Sequence, residues 1–104
     1  MEIQKVLVLG AGLIGGSIIR AIRKYQPQII LEVAVCNPEN YPNLSFFAEK
    51  VYAINQIPSS NWDLVLIATI TNSIVSLAQF MASKIKEDAI ITDAGSIKEP
   101  ILNA

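Results

Sequence analysis

The feature that most constrains this chain is the run KVLVLGAGLIG, residues 5–15. Its first part is short, apolar and rich in valine, which is typical of a central parallel strand covered on both faces. The next segment, LIGGSIIRAIRK, places apolar side chains on one face of a helix: Ile14, Ile18, Ala21, Ile22 and Tyr25. A glycine turn that leaves a buried strand and opens a helix is the context expected of a dinucleotide-binding turn.

The three glycines of this turn have separate roles in such a site. Gly10 would permit the tight turn, Gly12 would let the backbone approach a pyrophosphate, and Gly15 would let the helix pack on the strand. The helix N-terminus at Leu13 and Ile14 would offer N–H groups to the phosphates. The alternative is a turn that binds nothing, but the spacing and context favour the phosphate site.

The remainder of the chain alternates strands with helical segments through short connections. Strands are predicted at about 29–36, 51–54, 64–69 and 89–92, and helices at 44–50 and from Asn72 to Ile85. This order predicts parallel pairing with right-handed crossovers. We therefore expect an α/β fold, a doubly wound, Rossmann-like parallel sheet of about five strands, that forms one domain over residues 1–104.

Composition narrows the possible partners. A formal net charge of −1 argues against nucleic acid as a partner, and no apolar stretch reaches the roughly 20 residues that span a bilayer. The N-terminus is interpreted as a strand rather than a signal peptide. The single cysteine excludes an internal disulfide. We expect a cytoplasmic protein with neither a membrane segment nor a metal site.

The end of the second predicted strand bears on cofactor choice. A carboxylate that binds the ribose of NAD is expected about 20 residues after the glycine turn, but Asn37 stands there. Asparagine hydrogen-bonds a hydroxyl without a charge and does not repel a 2′-phosphate. Because Pro38 and Glu39 follow, with no cation beside them, NAD is favoured and NADP remains open. Asn37 is alternatively a plain turn former before proline.

Cys36 and Trp62 are expected to have structural roles and no part in a binding site. Cys36, at the end of the same strand, is expected to be a buried, inert thiol. Trp62 is expected to anchor a loop at the edge of the core.

The glycine turn extends to GAGLIGGSI, and the chain finishes ITDAGSIKEPI, with DLVLIAT between them. This combination resembles the cofactor domain of prephenate and arogenate dehydrogenases, in which G-L-I-G-G-S follows the first strand and D-x-x-S-x-K follows the fifth. The resemblance covers essentially the whole chain. It implies oxidative decarboxylation of prephenate or arogenate with NAD or NADP in tyrosine biosynthesis.

The resemblance also implies roles for individual residues. The pyrophosphate would be held by the turn and helix start, namely Gly10, Gly12, Leu13, Ile14 and Gly15. Asn37 would face the adenosine ribose, and the cofactor would pass Ala68, Thr69 and Ile70. Ser96 would lie near the nicotinamide and the ring hydroxyl of the substrate. The chain departs from the family at Ile70 and Thr71, where a proline is more usual.

The terminal motif has a structural interpretation as well. Ser96 and Glu99 have the spacing of a capping box that opens a helix, although Pro100 disfavours helical geometry at Glu99. That role is compatible with a place beside the substrate. Lys98 is interpreted as a solvated charge, and Asp93 as a residue that orients the turn.

The chain contains no histidine, the usual base for removing a hydroxyl proton near neutral pH. In the family that histidine follows the S-x-K motif, and a helical domain adds substrate contacts and dimerisation. We therefore expect a cofactor domain truncated before the substrate half and inactive alone, with a homodimer possible. The alternatives are an NAD-sensing regulatory module and the cofactor domain of a pyrroline-carboxylate-reductase-like enzyme.

Overall fold

The computed structural model describes residues 3–68 and 79–93, and it contains one parallel β-sheet. In chain order its elements are β1 (Lys5–Leu9), α1 (Leu13–Tyr25), β2 (Ile30–Val35), β3 (Lys50–Ala53), β4 (Leu64–Ile67) and β5 (Ile90–Asp93). Short 3₁₀ turns occupy Pro38–Asn40, Pro42–Phe46 and Ile54–Gln56. Residues 79–82 are helical and lie within the helix predicted from Asn72 to Ile85, which ends three residues earlier than predicted; its beginning lies outside the described residues.

The five strands are ordered β3-β2-β1-β4-β5, and every neighbouring pair is parallel. The order reverses at β1, which lies between β2 and β4. In open α/β sheets, ligands bind beyond the carboxyl ends of the strands at such a reversal. The predicted doubly wound, Rossmann-like sheet is confirmed, and it places the glycine turn at this position.

Apolar side chains cover both faces of the sheet, as the continuous hydrophobic strands predicted. On the α1 face Ile19 packs against alternate residues of β1 and β2, namely Val6, Val8, Leu31, Val33 and Val35. On the opposite face the core consists of Leu7, Leu9, Ala34, Ile57, Trp62, Val65, Ile67 and Met81. β1, which is buried from Val6 to Leu9, is therefore a rigid base for the turn that follows it.

The predicted helix at 44–50 is wrong in type and position. The structure instead has the 3₁₀ turn Pro42–Phe46, and β3 already begins at Lys50. Pro42 fixes the backbone at the first position of the turn, and so short a segment gains little from α-helical hydrogen bonds.

Trp62 also differs from its prediction, because its side chain is fully buried in the core rather than at the edge. Its indole N–H donates to Glu32 Oε1 at 3.0 Å, and the Tyr52 hydroxyl donates to the same oxygen at 2.9 Å. Lys5 Nζ lies 3.7 Å from Glu32 Oε2. Burial, and then the hydrogen bond to Glu32, raise the pKa of Tyr52 to about 12. The buried carboxylate therefore has partners on three sides.

Asp63 joins the starts of β1, β4 and β5. Its carboxylate accepts the backbone N–H groups of Gln4 at 2.8 Å and Lys5 at 3.0 Å, and also the ammonium of Lys86. These contacts, with the Lys86 hydrogen bond as the largest, lower the pKa of Asp63 to about 2. This junction holds the amino ends of the strands, at the edge of the sheet away from the glycine turn.

No helix within residues 3–68 and 79–93 is long and apolar enough to cross a membrane.

Candidate functional site

The glycine turn begins with a left-handed residue. Gly10 has φ of 103°, a backbone conformation that side-chain-bearing residues rarely adopt. Its N–H donates to the carbonyl oxygen of Ala34 on β2 at 2.8 Å. The chain therefore leaves β1 while still bonded to the neighbouring strand, and the predicted tight turn at Gly10 is present.

Gly15 provides the close packing that its position in the motif predicts. A Cβ there would overlap the carbonyl oxygen of Gly10 and would lie 3.4 Å from the Cβ of Ala68. Such an overlap with backbone cannot be relieved by rotating a side chain. Helix α1 therefore approaches the ends of β1 and β4 more closely than any other residue would allow.

Gly12 has different surroundings. It is exposed, and a Cβ built on it would meet no heavy atom within 4 Å among the residues that the structure describes. Its φ of −70° is accessible to any residue, so neither the backbone nor the packing of the described chain requires glycine there. The space in front of Gly12 is therefore available to a ligand that needs close contact with the backbone.

The N-terminus of α1 opens on the same space. Gly12 is the N-cap, no side chain caps the helix, and the first turn carries no acidic residue. Since the first N–H groups of a helix have no partner within it, those at Leu13, Ile14 and Gly15 provide donors and a partial positive charge. Arg23 and Lys24 lie in the last turn, where they complement the opposite end of the dipole. The arrangement is suited to an anion at the N-terminus.

A groove of about 310 Å³ lies in front of this turn. We call it the cofactor groove, and its lining residues are Gly10, Ala11, Gly12, Val35, Cys36, Asn37, Asn40, Tyr41, Ile54 and Ala68. It therefore brings together four of the residues selected from sequence, namely Gly10, Gly12, Asn37 and Ala68. Thr69, Ile70 and Ser96 lie outside the described residues, and Leu13 and Ile14 are placed by their backbone at the start of α1.

Asn37, the residue predicted to contact the ribose, lines the cofactor groove. It follows β2 directly, is exposed, and precedes the 3₁₀ turn that begins at Pro38. Its side chain makes no capping hydrogen bond to that turn, while its backbone carbonyl oxygen accepts the N–H of Asn40 at 3.0 Å. Asn40 and Tyr41 also line the groove. Sequence reasoning missed both, because only the 3₁₀ turn returns them to the groove.

The prediction for Cys36 is wrong. The thiol is free and exposed, and it lines the cofactor groove. β2 ends at Val35, one residue earlier than predicted, so Cys36 lies beyond the buried strand. Within the described parts of the chain, no cluster of three or more His, Cys, Asp or Glu side chains has the geometry to hold a metal ion.

A second cavity of about 220 Å³ adjoins the groove, and three residues line both: Ala11, Asn40 and Tyr41. Its other walls come from α1 and the segment around Pro42–Phe46. Arg20 of α1 is one of the lining residues. The motif gives no reason to connect this arginine with the groove.

The sheet order, the left-handed Gly10 and the open helix N-terminus at Gly12 define a Rossmann-type domain. No family model matches the chain. It is 28% identical to cyclohexadienyl dehydrogenase of Zymomonas mobilis over an alignment 108 residues long, gaps included. This alignment covers 95% of this chain and 34% of that enzyme. It is 30% identical to prephenate dehydrogenase of Lactococcus lactis over 104 residues, which cover 95% of this chain and 28% of that enzyme. The chain thus spans about a third of the length of the curated relatives it matches.

Solved structures give the same result for the fold. Prephenate dehydrogenase from Aquifex aeolicus, in complex with hydroxyphenyl propionate and NAD+, superposes with a TM-score of 0.78 at 22% identity, over 89% of this chain and 34% of that one. TarJ from Staphylococcus aureus, in complex with NADPH, superposes with a TM-score of 0.71 at 21% identity, over 86% of this chain and 28% of that one. The resemblance to prephenate dehydrogenases drawn from the motifs is confirmed.

Proposed function

We propose that this chain is the NAD(P)-binding domain of a prephenate-dehydrogenase-like oxidoreductase. The observation that carries the proposal is the open space at Gly12, which lies at the helix N-terminus and inside a groove at the point where the strand order reverses. A pyrophosphate there would receive N–H donors from the start of α1. The curated relatives, named as cyclohexadienyl and prephenate dehydrogenases, support the enzyme class.

The residues present fit a dinucleotide. Gly10 and Gly12 present backbone without a side chain to the groove, and Asn37 offers an amide to the hydroxyls of the adenosine ribose. Ala68 gives a small, apolar wall at the end of β4. The nicotinamide of a bound cofactor would accept hydride from the substrate. We further propose that Thr69 and Ile70 continue the path of the cofactor and that Ser96 lies beside its reactive end.

Prephenate or arogenate is the proposed substrate of the complete active site. Oxidation of a ring hydroxyl requires a base for its proton, and the chain has no histidine to act as one. A carboxylate would need a strongly raised pKa to replace it. We therefore propose that this chain binds the cofactor but does not turn over either substrate. Appearance of NADH absorbance with this chain, NAD+ and either substrate would contradict that statement.

Alkylation of Cys36 tests the cofactor groove directly, since this thiol is the only cysteine and lines the groove. NAD+ at ten times its dissociation constant leaves about one molecule in eleven unoccupied, so iodoacetamide should react roughly tenfold more slowly. The Gly12→Val variant, whose own alkylation rate without NAD+ is its baseline, serves as the control and should show no protection by NAD+. An alkylation rate that saturating NAD+ leaves unchanged would contradict the proposed groove.

A further inference from the structure

The second cavity has a charged wall that the cofactor groove lacks. Among the described residues that line the two cavities, Arg20 is the only charged one. Glu39, the acidic residue of the nearby 3₁₀ turn, lines neither of them. The polar neighbours of Arg20 in the cavity wall are Asn40, Tyr41 and Asn43. The cavity therefore combines one cation with neutral hydrogen-bonding groups, a combination that suits an anion.

The guanidinium of Arg20 is available to a ligand. Within residues 3–68 and 79–93 it makes no hydrogen bond and no ion pair, and its side chain is exposed. Arg23, one turn later, is fully used: it donates to the carbonyl oxygen of Phe47 at 2.7 Å and to both carboxylate oxygens of Glu49 at 3.0 Å. The two arginines of α1 thus differ, since Arg23 holds the fold together while Arg20 leaves its donors free for a solute.

The position of Arg20 relates it to the ribose end of the groove. Side chains on a helix lean toward its N-terminus, so Arg20 extends toward Gly16 and the glycine turn, and Gly16 also lines the cavity. Asn40 and Tyr41, which line both cavities, come three and four residues after Asn37. A group attached to a ribose at Asn37 therefore has a path past Asn40 and Tyr41 toward Arg20.

We propose that the second cavity receives the 2′-phosphate of NADP and that Arg20 is the residue that determines this specificity. The inference rests on the proposed function, because it places the ribose at Asn37. Asn37 is uncharged and does not repel the phosphate, and Arg20 supplies a charge-assisted contact. NAD+, which carries a hydroxyl at that position, makes no contact with Arg20.

Isothermal titration of the chain with NADP+ and with NAD+ tests the proposal, using the variant Arg20→Gln. We expect NADP+ affinity to fall about five- to tenfold and NAD+ affinity to stay within about twofold, as loss of one exposed charge-assisted contact predicts. The matched control is Lys24→Gln, which removes the same charge from an exposed position on the same helix and should alter neither affinity. Raising the salt concentration should weaken NADP+ binding more in the wild type than in Arg20→Gln.

The outcomes separate the two proposals. If the wild type binds NAD+ and the ratio of NADP+ to NAD+ affinity is the same in Arg20→Gln, the role of Arg20 is overturned and the cofactor domain stands. If the wild type binds neither nucleotide, the proposed function itself is overturned, and the inference with it. Circular dichroism of both variants should match the wild type, because neither side chain is part of the core.

Discussion

Gly15 faces Gly10 so closely that a Cβ on Gly15 would overlap the carbonyl oxygen of Gly10 and lie 2.9 Å from its carbonyl carbon. Ala68, at the end of β4, closes the other side of the same contact. Helix α1 is therefore held directly against the ends of two central strands. This contact fixes where the N-terminus of the helix points, and so where an anion can bind.

Substitution of the two adjacent glycines, Gly15 and Gly16, by alanine should consequently have opposite effects on stability. Gly15→Ala should lower the free energy of unfolding by about 1–3 kcal/mol, because the backbone must move to admit the methyl group. In Gly16→Ala the new Cβ would lie 3.6 Å from the Ala11 carbonyl oxygen, an ordinary contact. Alanine's higher helix propensity should then raise stability by about 0.5–1 kcal/mol. Urea denaturation measures both, and equal stability of the two variants would contradict the packing described.

The hydrogen bonds and ion pair of Asp63 should make the stability of the fold depend on pH. Its pKa of about 2 lies below the ordinary 3.8, so the folded state favours the charged form. The stabilisation is complete above about pH 5 and is lost as pH falls through 4 toward 2. Asp63→Asn should therefore be less stable than the wild type at pH 7, with a difference that shrinks toward pH 2. Thermal unfolding at several pH values tests this, with the exposed Glu87→Gln as control. If the difference in stability between Asp63→Asn and the wild type did not vary with pH, the charge of Asp63 would not be the source of the stabilisation.

Asn37→Asp should strengthen NAD+ binding and weaken NADP+ binding. The new carboxylate would accept charge-assisted hydrogen bonds from the ribose hydroxyls, worth about 1 kcal/mol or several-fold in affinity, and would repel a 2′-phosphate. Gln56→Glu adds the same charge at an exposed position that lines neither cavity, and it should change neither affinity. A similar response of both cofactors to Asn37→Asp would show that residue 37 does not face the ribose.

The sheet and its glycine turn were predictable from sequence because each depends on local pattern. Continuous apolar strands, the helical repeat after Gly12 and the glycine spacing all act over a few residues, and the structure confirms them. Predictions were wrong for residues whose position depends on contacts that are distant in sequence. Trp62 reads as a loop residue between polar neighbours, yet the buried carboxylate of Glu32, thirty residues earlier, accepts its indole N–H.

The walls of the candidate site were only partly predictable for a related reason. The position of Asn37 in the groove could be predicted from its distance after the glycine turn. Asn40 and Tyr41 reach the groove through a 3₁₀ turn, which has no helical or strand periodicity in the sequence. Arg20 looks like any solvated charge late in an amphipathic helix. Its relation to Asn40 and Asn43 arises from tertiary packing across the second cavity. Cys36 was misassigned because one residue decides whether a strand's last side chain is buried or exposed.

Gly12 is the proposed point of contact between the glycine turn and the cofactor. Gly12→Val places a branched side chain in the open space at the start of α1, where no described atom lies within 4 Å of the new Cβ. With φ of −70° the backbone accepts valine, so stability should change by no more than about 1 kcal/mol. Ala21→Val, at an exposed position of the same helix, is a control for the cost of a β-branched residue.

Isothermal titration with NAD+ of the wild type, Gly12→Val and Ala21→Val is the most direct measurement. The wild type and Ala21→Val should bind with a dissociation constant of about 0.1–1 mM, a weak affinity expected from partial contacts. Gly12→Val should remain folded and show no binding at these concentrations. A folded Gly12→Val that binds NAD+ as tightly as the wild type would contradict the assignment of the glycine turn as the pyrophosphate site.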